Sequence, residues 1–344
     1  MKINRPGQEE NKTRHLLSIL FLVLGLVLVL VLATAIGSVS ISPTKVIQAV
    51  WHGISNNLSG TYDTIIWRIR LPRALLAGLV GSSLAISGVA YQGVFRNPLA
   101  DPYLLGVASG ASFGAAVAIV IGINNVLIAN LGVAAISFIF SLISVFLVIV
   151  FARQGNKIPI TNLILAGAVL GSSFSAATSF LMISSKAQTN SILSWILGSF
   201  SLASWSKVFS IFPFFIIALL LLLLSARALN LLQLGEEQAM QLGLAVTRFK
   251  YALIIVATLA TSAAVSVSGI IGFVGLMVPH AARLALGPNH KGLIISSALM
   301  GAIFLILADL LARTIIAPEE IPIGVITALV GGPFFLFLLR RARA

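Results

Sequence analysis

Long apolar runs, separated by short polar breaks, repeat along almost the whole chain. A helix needs about 20 mostly apolar residues to cross a bilayer, and it satisfies its backbone hydrogen bonds internally, as hydrocarbon surroundings require. The sequence contains about ten such runs, which predicts an all-α polytopic membrane protein with about ten transmembrane helices. The predicted spans cover approximately residues 16–36, 71–95, 102–121, 127–151, 160–183, 208–224, 251–267, 271–286, 293–314 and 323–339.

The second predicted span is built largely from small residues. They include Gly78, Gly81, Ser82, Ser83, Ala85, Ser87 and Gly88. Small residues let helix backbones approach closely in lipid, so we expect this helix inside a bundle. It ends at a polar break with two prolines, which stop helical hydrogen bonding. The leucine-rich span 208–224, in contrast, is expected at the lipid-facing periphery.

The longest polar connection, residues 227–248, has its own pattern. Leucine, alanine and methionine alternate there with glutamate and glutamine, which predicts short amphipathic helices broken at Gly235 and Gly243. Such a segment can lie on lipid headgroups, but Glu236 and Glu237 would face an anionic inner leaflet unfavourably. A protein partner explains these acidic residues better.

Composition supports the membrane assignment. The chain has 344 residues, of which 58% are hydrophobic and only 9% are charged, too few to cover a soluble globule. A net charge of +13 raises nucleic-acid binding as an alternative, but the basic residues lie scattered between apolar runs. Most of them fall in the breaks assigned to the inner side, so we expect no nucleic-acid partner.

The charge distribution also predicts topology. Both termini are expected in the cytoplasm, with tails at 1–15 and 340–344 flanking a single transmembrane domain over 16–339, in which 227–248 is cytoplasmic. A signal peptide is the alternative for the N-terminus, since Ala33 to Ala35 imitates a cleavage site. The first apolar run, however, is longer than the usual signal-peptide core.

Chemistry-bearing motifs are missing from the sequence. It has no cysteine, no GxxxxGK[ST] phosphate loop and no triad or paired carboxylates suited to hydrolysis. His280 has no second ligand at metal-binding spacing, so we interpret it as a packing and hydrogen-bonding group. We therefore predict that the chain is not an enzyme, holds no cofactor or metal, and depends on another subunit for energy.

Several arginines break the charge trend at outer helix ends. They are Arg68, Arg70, Arg73 and Arg313. Snorkelling or ion pairing with Asp63, Asp309, Glu319 or Glu320 is one explanation. A binding surface is the other explanation, and the grouping of three of these arginines at the start of one helix favours it.

Several strings occur in an order that closely resembles the FecCD-type permeases, the membrane subunits of ABC importers for ferric siderophores, haem and cobalamin. They are RLPR at 70–73, Gln92, NPLADP at 97–102, LGVASG at 105–110, LGE at 234–236, GFVGLMVPH at 272–280 and PEEIPIG at 318–324. The resemblance covers nearly the whole chain from about residue 16. It implies the type II ABC importer permease fold and a location in the bacterial cytoplasmic (inner) membrane.

The resemblance also implies roles for particular residues. Those matched to docking of an extracytoplasmic substrate-binding protein are Arg70, Arg73 and Arg313. Those matched to coupling with two cytoplasmic ATP-binding subunits are Leu234, Gly235, Glu236, Ala239, Leu242 and Gly243. Those matched to the cytoplasmic gate are Asn97, Pro98, Leu99 and Thr161, although helix capping alone also explains the gate residues.

The expected function is import of a ferric siderophore, with cobalamin, haem and oxyanions as alternative cargoes. A second permease subunit is expected to complete the pathway, as a homodimer or a heterodimer. Spans 71–95, 160–183, 271–286 and 323–339 are the expected pathway walls. A stand-alone secondary transporter or channel is the competing function, but it requires ionisable residues along the bundle, and Asp309 is the main acidic candidate there. A membrane-bound enzyme is a further alternative, for which no catalytic cluster is found.

Overall fold

The computed structural model describes residues 6–37, 39–122, 132–155 and 159–341. Helices dominate these ranges. In the first half they are α1 (Pro6–Ala35), α2 (Pro43–Ile54), α3 (Thr61–Thr64), α4 (Leu71–Phe95), α5 (Val107–Ile121), α6 (Gly132–Ala152) and α7 (Ile160–Ser184). In the second half they are α8 (Thr189–Ile196), α9 (Trp205–Leu232), α10 (Glu236–Gln241), α11 (Val246–Ser268), α12 (Val274–Leu286), α13 (His290–Ala312) and α14 (Ile323–Arg341).

Within the described ranges, seven helices are long and apolar enough to cross a membrane. These spans lie in α1, α3 to α4, α6, α7, α9, α11 and α13. Three shorter apolar helices, α5, α12 and α14, occupy the remaining predicted spans. The predicted all-α polytopic fold is confirmed.

Among the predicted spans that are longer in the structure, the second and the sixth gain the most residues. The second begins at Thr61, because α3 continues through a π-helical segment, Ile65–Arg70, directly into α4. The polar start of this helix resembled a loop in the sequence, but its Asp63 is buried and accepts hydrogen bonds from His52 and from the Ser59 amide. The sixth span, predicted at 208–224, is a longer helix in the structure and extends over Trp205–Leu232.

The connection 227–248 is correspondingly shorter than its polar composition suggested. Residues 227–232 belong to α9 and residues 246–248 belong to α11. The short helix α10 lies between them, after Gly235, whose φ of +129° favours glycine. The prediction of a glycine-bounded amphipathic helix is confirmed for α10, with Gly243 at φ +88° on its other side.

Helix α4 lies at the centre of the bundle. Of an 18-residue apolar stretch in its span, 83% is buried. A Cβ at Gly81 would stand 2.1 Å from the Gly301 carbonyl oxygen of α13, and one at Gly88 would stand 1.7 Å from the Gly275 oxygen of α12. The predicted close helix contacts of the small-residue span are therefore confirmed.

The periphery also agrees with the sequence pattern. Only 22% of the 18-residue apolar stretch of α9 is buried, as expected for its leucine-rich sequence. Helix α7 is exposed too, since only 17% of its 18-residue apolar stretch is buried. It nevertheless carries many small and hydroxyl residues. An exposed helix of that composition is unusual for a lipid-facing surface.

The helix ends define two faces of the bundle. The α10 face carries α10, the C-terminal ends of α4 and α9, and the N-terminal ends of α11 and α13. The opposite face carries the N-terminal end of α4, the C-terminal end of α13 and the beginning of α9. The sequence-predicted sites divide between these two faces.

Candidate functional site

Arg73 forms a buried ion-pair network on the opposite face. Its Nε lies 3.0 Å from Asp309 Oδ2, and its Nη2 lies 2.9 Å from Asp309 Oδ1. Its Nη1 donates to Glu320 Oε1 at 2.7 Å. The Arg73 side chain is 11% exposed and that of Asp309 is 5% exposed, whereas that of Glu320 is 38% exposed. Only the Glu320 side of this network is open to solvent.

Arg70 lies in the interior next to the end of α1. Its residue is 6% exposed, and its Nη1 donates to the carbonyl oxygens of Thr34 at 3.0 Å and Ala35 at 2.9 Å. Its Nη2 donates to the Val39 oxygen at 2.5 Å. The guanidinium therefore caps the C-terminal carbonyls of a helix, which carry partial negative charge.

Arg313 lies between the other two arginines. Its Nη2 donates to the Ala33 carbonyl oxygen, and its Nε lies 3.8 Å from Asp309 Oδ2. Its side chain is 10% exposed. The structure thus brings Arg70, Arg73 and Arg313 to one face, but each already holds intramolecular partners, while Arg68 is exposed.

The residues matched to coupling form a small surface on the α10 face. Leu234 and Leu242 are 59% and 61% exposed, and Ala239 is fully buried against Leu232 and Val246. Glu236 is paired with Lys250 of α11. Exposed leucines beside a held acidic residue are typical of a protein-binding surface rather than of a solvated loop.

The loop after α4 contains Asn97, Pro98 and Leu99, three of the four residues that the sequence resemblance matched to a gate. Arg96 takes a left-handed conformation, φ +50°, and ends the helix. The side-chain oxygen of Asn97 accepts the Leu99 amide at 2.9 Å. Asn97, Pro98 and Leu99 are exposed in this chain, and so is Thr161 at the start of α7. The side chain of Asn97 therefore shapes the turn itself.

Asp101 fixes the other side of the same loop. Its Oδ1 accepts the Tyr103 amide at 2.7 Å, and the Tyr103 hydroxyl donates to the Ile271 carbonyl at 2.9 Å. Burial raises the pKa of Asp101 to about 6. The loop is thus anchored on the segment before α12.

A cavity of about 390 Å³ joins the coupling surface to the start of α7. Glu236, Met240 and Lys250 line one side, and Phe95 and Ile160 line the other. Helix α10 and the ends of α4 and α7 thus share the walls of one cavity.

Sequence reasoning identified Asp309 and Glu320 as possible arginine partners but did not select Lys250. An acidic residue in α10 and a lysine in the first turns of α11 were the available signal. The hydrogen-bonding interpretation of His280 is wrong for its Nδ1, which is buried without a hydrogen-bond partner among the described residues. The ring instead lies edge-on to Phe334, with 6.5 Å between centroids.

Comparison with known proteins gives relatives along the whole chain. An uncharacterised ABC transporter permease protein of Bacillus subtilis is 41% identical over 332 residues, covering 95% of this chain and 93% of the relative. A hemin transport system permease protein of Yersinia pestis is 40% identical, and the match covers 95% of this chain and 96% of the relative. A cobalamin import system permease protein of Halobacterium salinarum is 44% identical, and the match covers 81% of this chain and 74% of the relative.

The fold is shared with a solved structure of a metal-chelate type ABC transporter in an inward-facing conformation. The two chains are 34% identical and superpose with a TM-score of 0.82, covering 94% of this chain and 98% of the other. The model of the FecCD transport family matches residues 25–341. The chain therefore belongs to the FecCD transport family and is a multi-pass ABC importer permease.

Proposed function

We propose that this permease imports a ferric siderophore across the bacterial cytoplasmic membrane. The observation that carries the cargo assignment is the exposure of α7, an uncharged helix on which small and hydroxyl residues alternate with exposed apolar side chains such as Leu165 and Phe180. A chelate surrounds its metal with ligand atoms, so its passage requires room and polar groups along the wall rather than side chains that ligate the metal itself. Similarity to a metal-chelate type transporter supports this choice.

The pathway requires a second permease subunit, identical or homologous. Serines at 172, 173 and 179 of α7 are exposed in the single chain and bond only to carbonyls of their own helix. Small and hydroxyl residues favour helix association in lipid. Two α7 helices facing each other would therefore enclose a path between subunits.

Two ATP-binding subunits are proposed to bind the α10 face in the cytoplasm. Leu234, Gly235, Glu236, Ala239, Leu242 and Gly243 would provide the contact. The glycines permit the two turns around α10, and the exposed leucines supply apolar area. The N-terminal and C-terminal tails, 1–15 and 340–344, are proposed to lie on this side, with 16–339 forming the permease domain.

The gate is proposed to consist of Asn97, Pro98, Leu99 and Thr161. They lie at the ends of α4 and α7 nearest to the cavity beneath α10. ATP-driven movement of α10 would change the spacing of these helix ends. An opening on the cytoplasmic side would follow.

The opposite face is proposed to receive the substrate-binding protein through Arg70, Arg73 and Arg313. All three arginines already hold internal partners. Docking must therefore replace one of these internal partners with a group of the binding protein. Glu320 is the best candidate for exchange, because it is the more exposed of the two carboxylates that accept hydrogen bonds from Arg73. An acidic residue of the binding protein would then replace Glu320.

Uptake of a ⁵⁵Fe-labelled hydroxamate or catecholate chelate, in cells lacking other iron importers, tests the cargo. We expect uptake that requires both this chain and its ATPase, with no competition by cobalamin or haem. Strong competition by either would instead identify the alternative cargo. Chelate transport by the chain alone in vesicles without an ATPase would support the stand-alone secondary transporter.

A further inference from the structure

A second polar cavity lies on the opposite face, away from the arginine network. Its volume is about 600 Å³, and it is a half-open cavity where α8 meets the ends of α5, α6, α9 and α11. Lys207, in the first turn of α9, is the one charged residue among the described side chains that line it. The cavity therefore combines a single positive charge with a space that a ligand can enter from the surface.

Lys207 has no carboxylate partner in the described part of the chain. The whole sequence contains only nine acidic residues, and none falls in 123–131, the connection closest to the cavity in sequence. On the opposite face, Asp63 is held by His52 while Asp309 and Glu320 are held by Arg73. An ammonium without a counter-ion in a half-buried position is costly unless a ligand neutralises it.

The other polar groups of the cavity are uncharged and able to donate hydrogen bonds. Asn190, Ser191 and Ser194 of α8 form no side-chain hydrogen bonds with other described residues. Ser199 Oγ donates to Ser201 Oγ at 2.9 Å, which leaves the Ser201 hydroxyl hydrogen free. Several donors around one cation match the acceptor oxygens of a phosphate group.

We propose that this cavity binds a phosphate group, with Lys207 neutralising it and the α8 side chains donating hydrogen bonds. The phosphate can belong to a phospholipid headgroup of the adjacent leaflet or to free inorganic phosphate. The site does not depend on the proposed cargo, because binding here is measured without transport.

The test uses the full-length chain, delipidated in detergent and titrated separately with inorganic phosphate, phosphatidylglycerol and phosphatidylcholine. Thermal unfolding reports phosphate binding, and native mass spectrometry counts bound lipid. Lys207→Met keeps the apolar stem but removes the charge, and Lys207→Arg restores the charge. Lys186→Met is the matched control, because Lys186 is exposed at the same face outside the cavity.

We expect Lys207→Met to weaken binding about tenfold or more, while Lys207→Arg and Lys186→Met bind as the wild type does. Binding of inorganic phosphate identifies a free anion as the ligand. Selective binding of the phospholipids without phosphate binding identifies a headgroup. Equal behaviour of Lys207→Met and wild type with all three ligands overturns the proposal.

Should Lys207→Met fail to fold, the Ser191→Ala, Ser194→Ala double variant decides. These residues are on α8, and their hydroxyls hold no other part of the described structure. Weaker phosphate or phospholipid binding by the folded double variant supports the site. Binding equal to that of the wild type contradicts it.

Discussion

Arg73 and Asp309, 236 positions apart in the chain, are joined by a bidentate pair in which Nη2 lies 2.9 Å from Oδ1 and Nε lies 3.0 Å from Oδ2. The pair fastens the start of α4 to the end of α13. Arg313 approaches the same carboxylate from the other side. One buried acidic residue thus balances two buried arginines.

Asp309→Asn is expected to destabilise the protein strongly. Breaking a buried pair by removing one partner costs about 3–5 kcal/mol, because the remaining charge stays buried. Thermal unfolding in detergent measures the loss. A double variant with Arg73→Met should recover part of it, since the pair is then removed together; no recovery would mean that Arg313, not Arg73, depends on the carboxylate.

Glu320→Gln is expected to strengthen binding of the substrate-binding protein. Glu320 accepts hydrogen bonds from Nη1 and Nη2 of Arg73. The substitution removes the negative charge from this partly exposed pair, which itself contributes only about 0–1 kcal/mol of stability. Binding of the purified binding protein to nanodisc-embedded importer measures the effect. Glu319→Gln is the matched control, because Glu319 is exposed and forms no ion pair among the described residues. Unchanged affinity in Glu320→Gln would argue against partner exchange.

Charge reversal at Arg70 is expected to impair folding before it affects docking. Its guanidinium donates to three main-chain oxygens in the interior, and a carboxylate there would meet those oxygens unpaired. The amount of folded protein after size-exclusion chromatography should fall sharply for Arg70→Glu. Arg68→Glu, at an exposed position of the same helix, should remain folded. A folded Arg70→Glu protein that no longer binds its partner would support a direct docking role.

Leu242→Asn is expected to release the ATPase without unfolding the permease. The leucine is 61% exposed, so its replacement removes little internal packing but removes apolar area from the coupling surface. Co-purification of the ATPase should fall about tenfold, corresponding to roughly 1.4 kcal/mol. Gln241→Ala, at the neighbouring exposed position, controls for surface mutation alone. Retention of the ATPase by Leu242→Asn would place the contact elsewhere.

Asp101→Asn is expected to stabilise the protein in a pH-dependent manner. Burial raises the pKa of Asp101 from the usual aspartate value of 3.8 to about 6, so the stability associated with the protonated form is lost as the pH rises through about 6. An asparagine oxygen can still accept the Tyr103 amide. Its advantage should grow between about pH 4 and pH 6 and level off above that, near 3 kcal/mol.

Thermal unfolding at several pH values checks this expectation. A stability difference independent of pH, or one that increases toward acid, would show that burial of the Asp101 charge is not its source. The wild type provides the reference at each pH, since both proteins share every other titratable group.

The sequence was sufficient for the spans, the central position of α4 and the glycine-bounded α10, because hydropathy and small residues act locally. The arginine partners were harder to predict. Arg70 reaches carbonyl oxygens of residues 31 to 36 positions earlier, and every residue has a carbonyl, so no residue type marks the acceptor. The empty space beside Lys207 likewise depends on how five helices meet, which no local pattern records.

The two glycine contacts of α4 have a mechanical consequence. Main-chain atoms touch main-chain atoms at Gly81 with Gly301 and at Gly88 with Gly275, so no flexible side chain can yield if these helices slide. We therefore expect helices α4, α12 and α13 to move as one block during transport. The changes of shape that admit and release cargo are left to the outlying helices, such as α7 and α10.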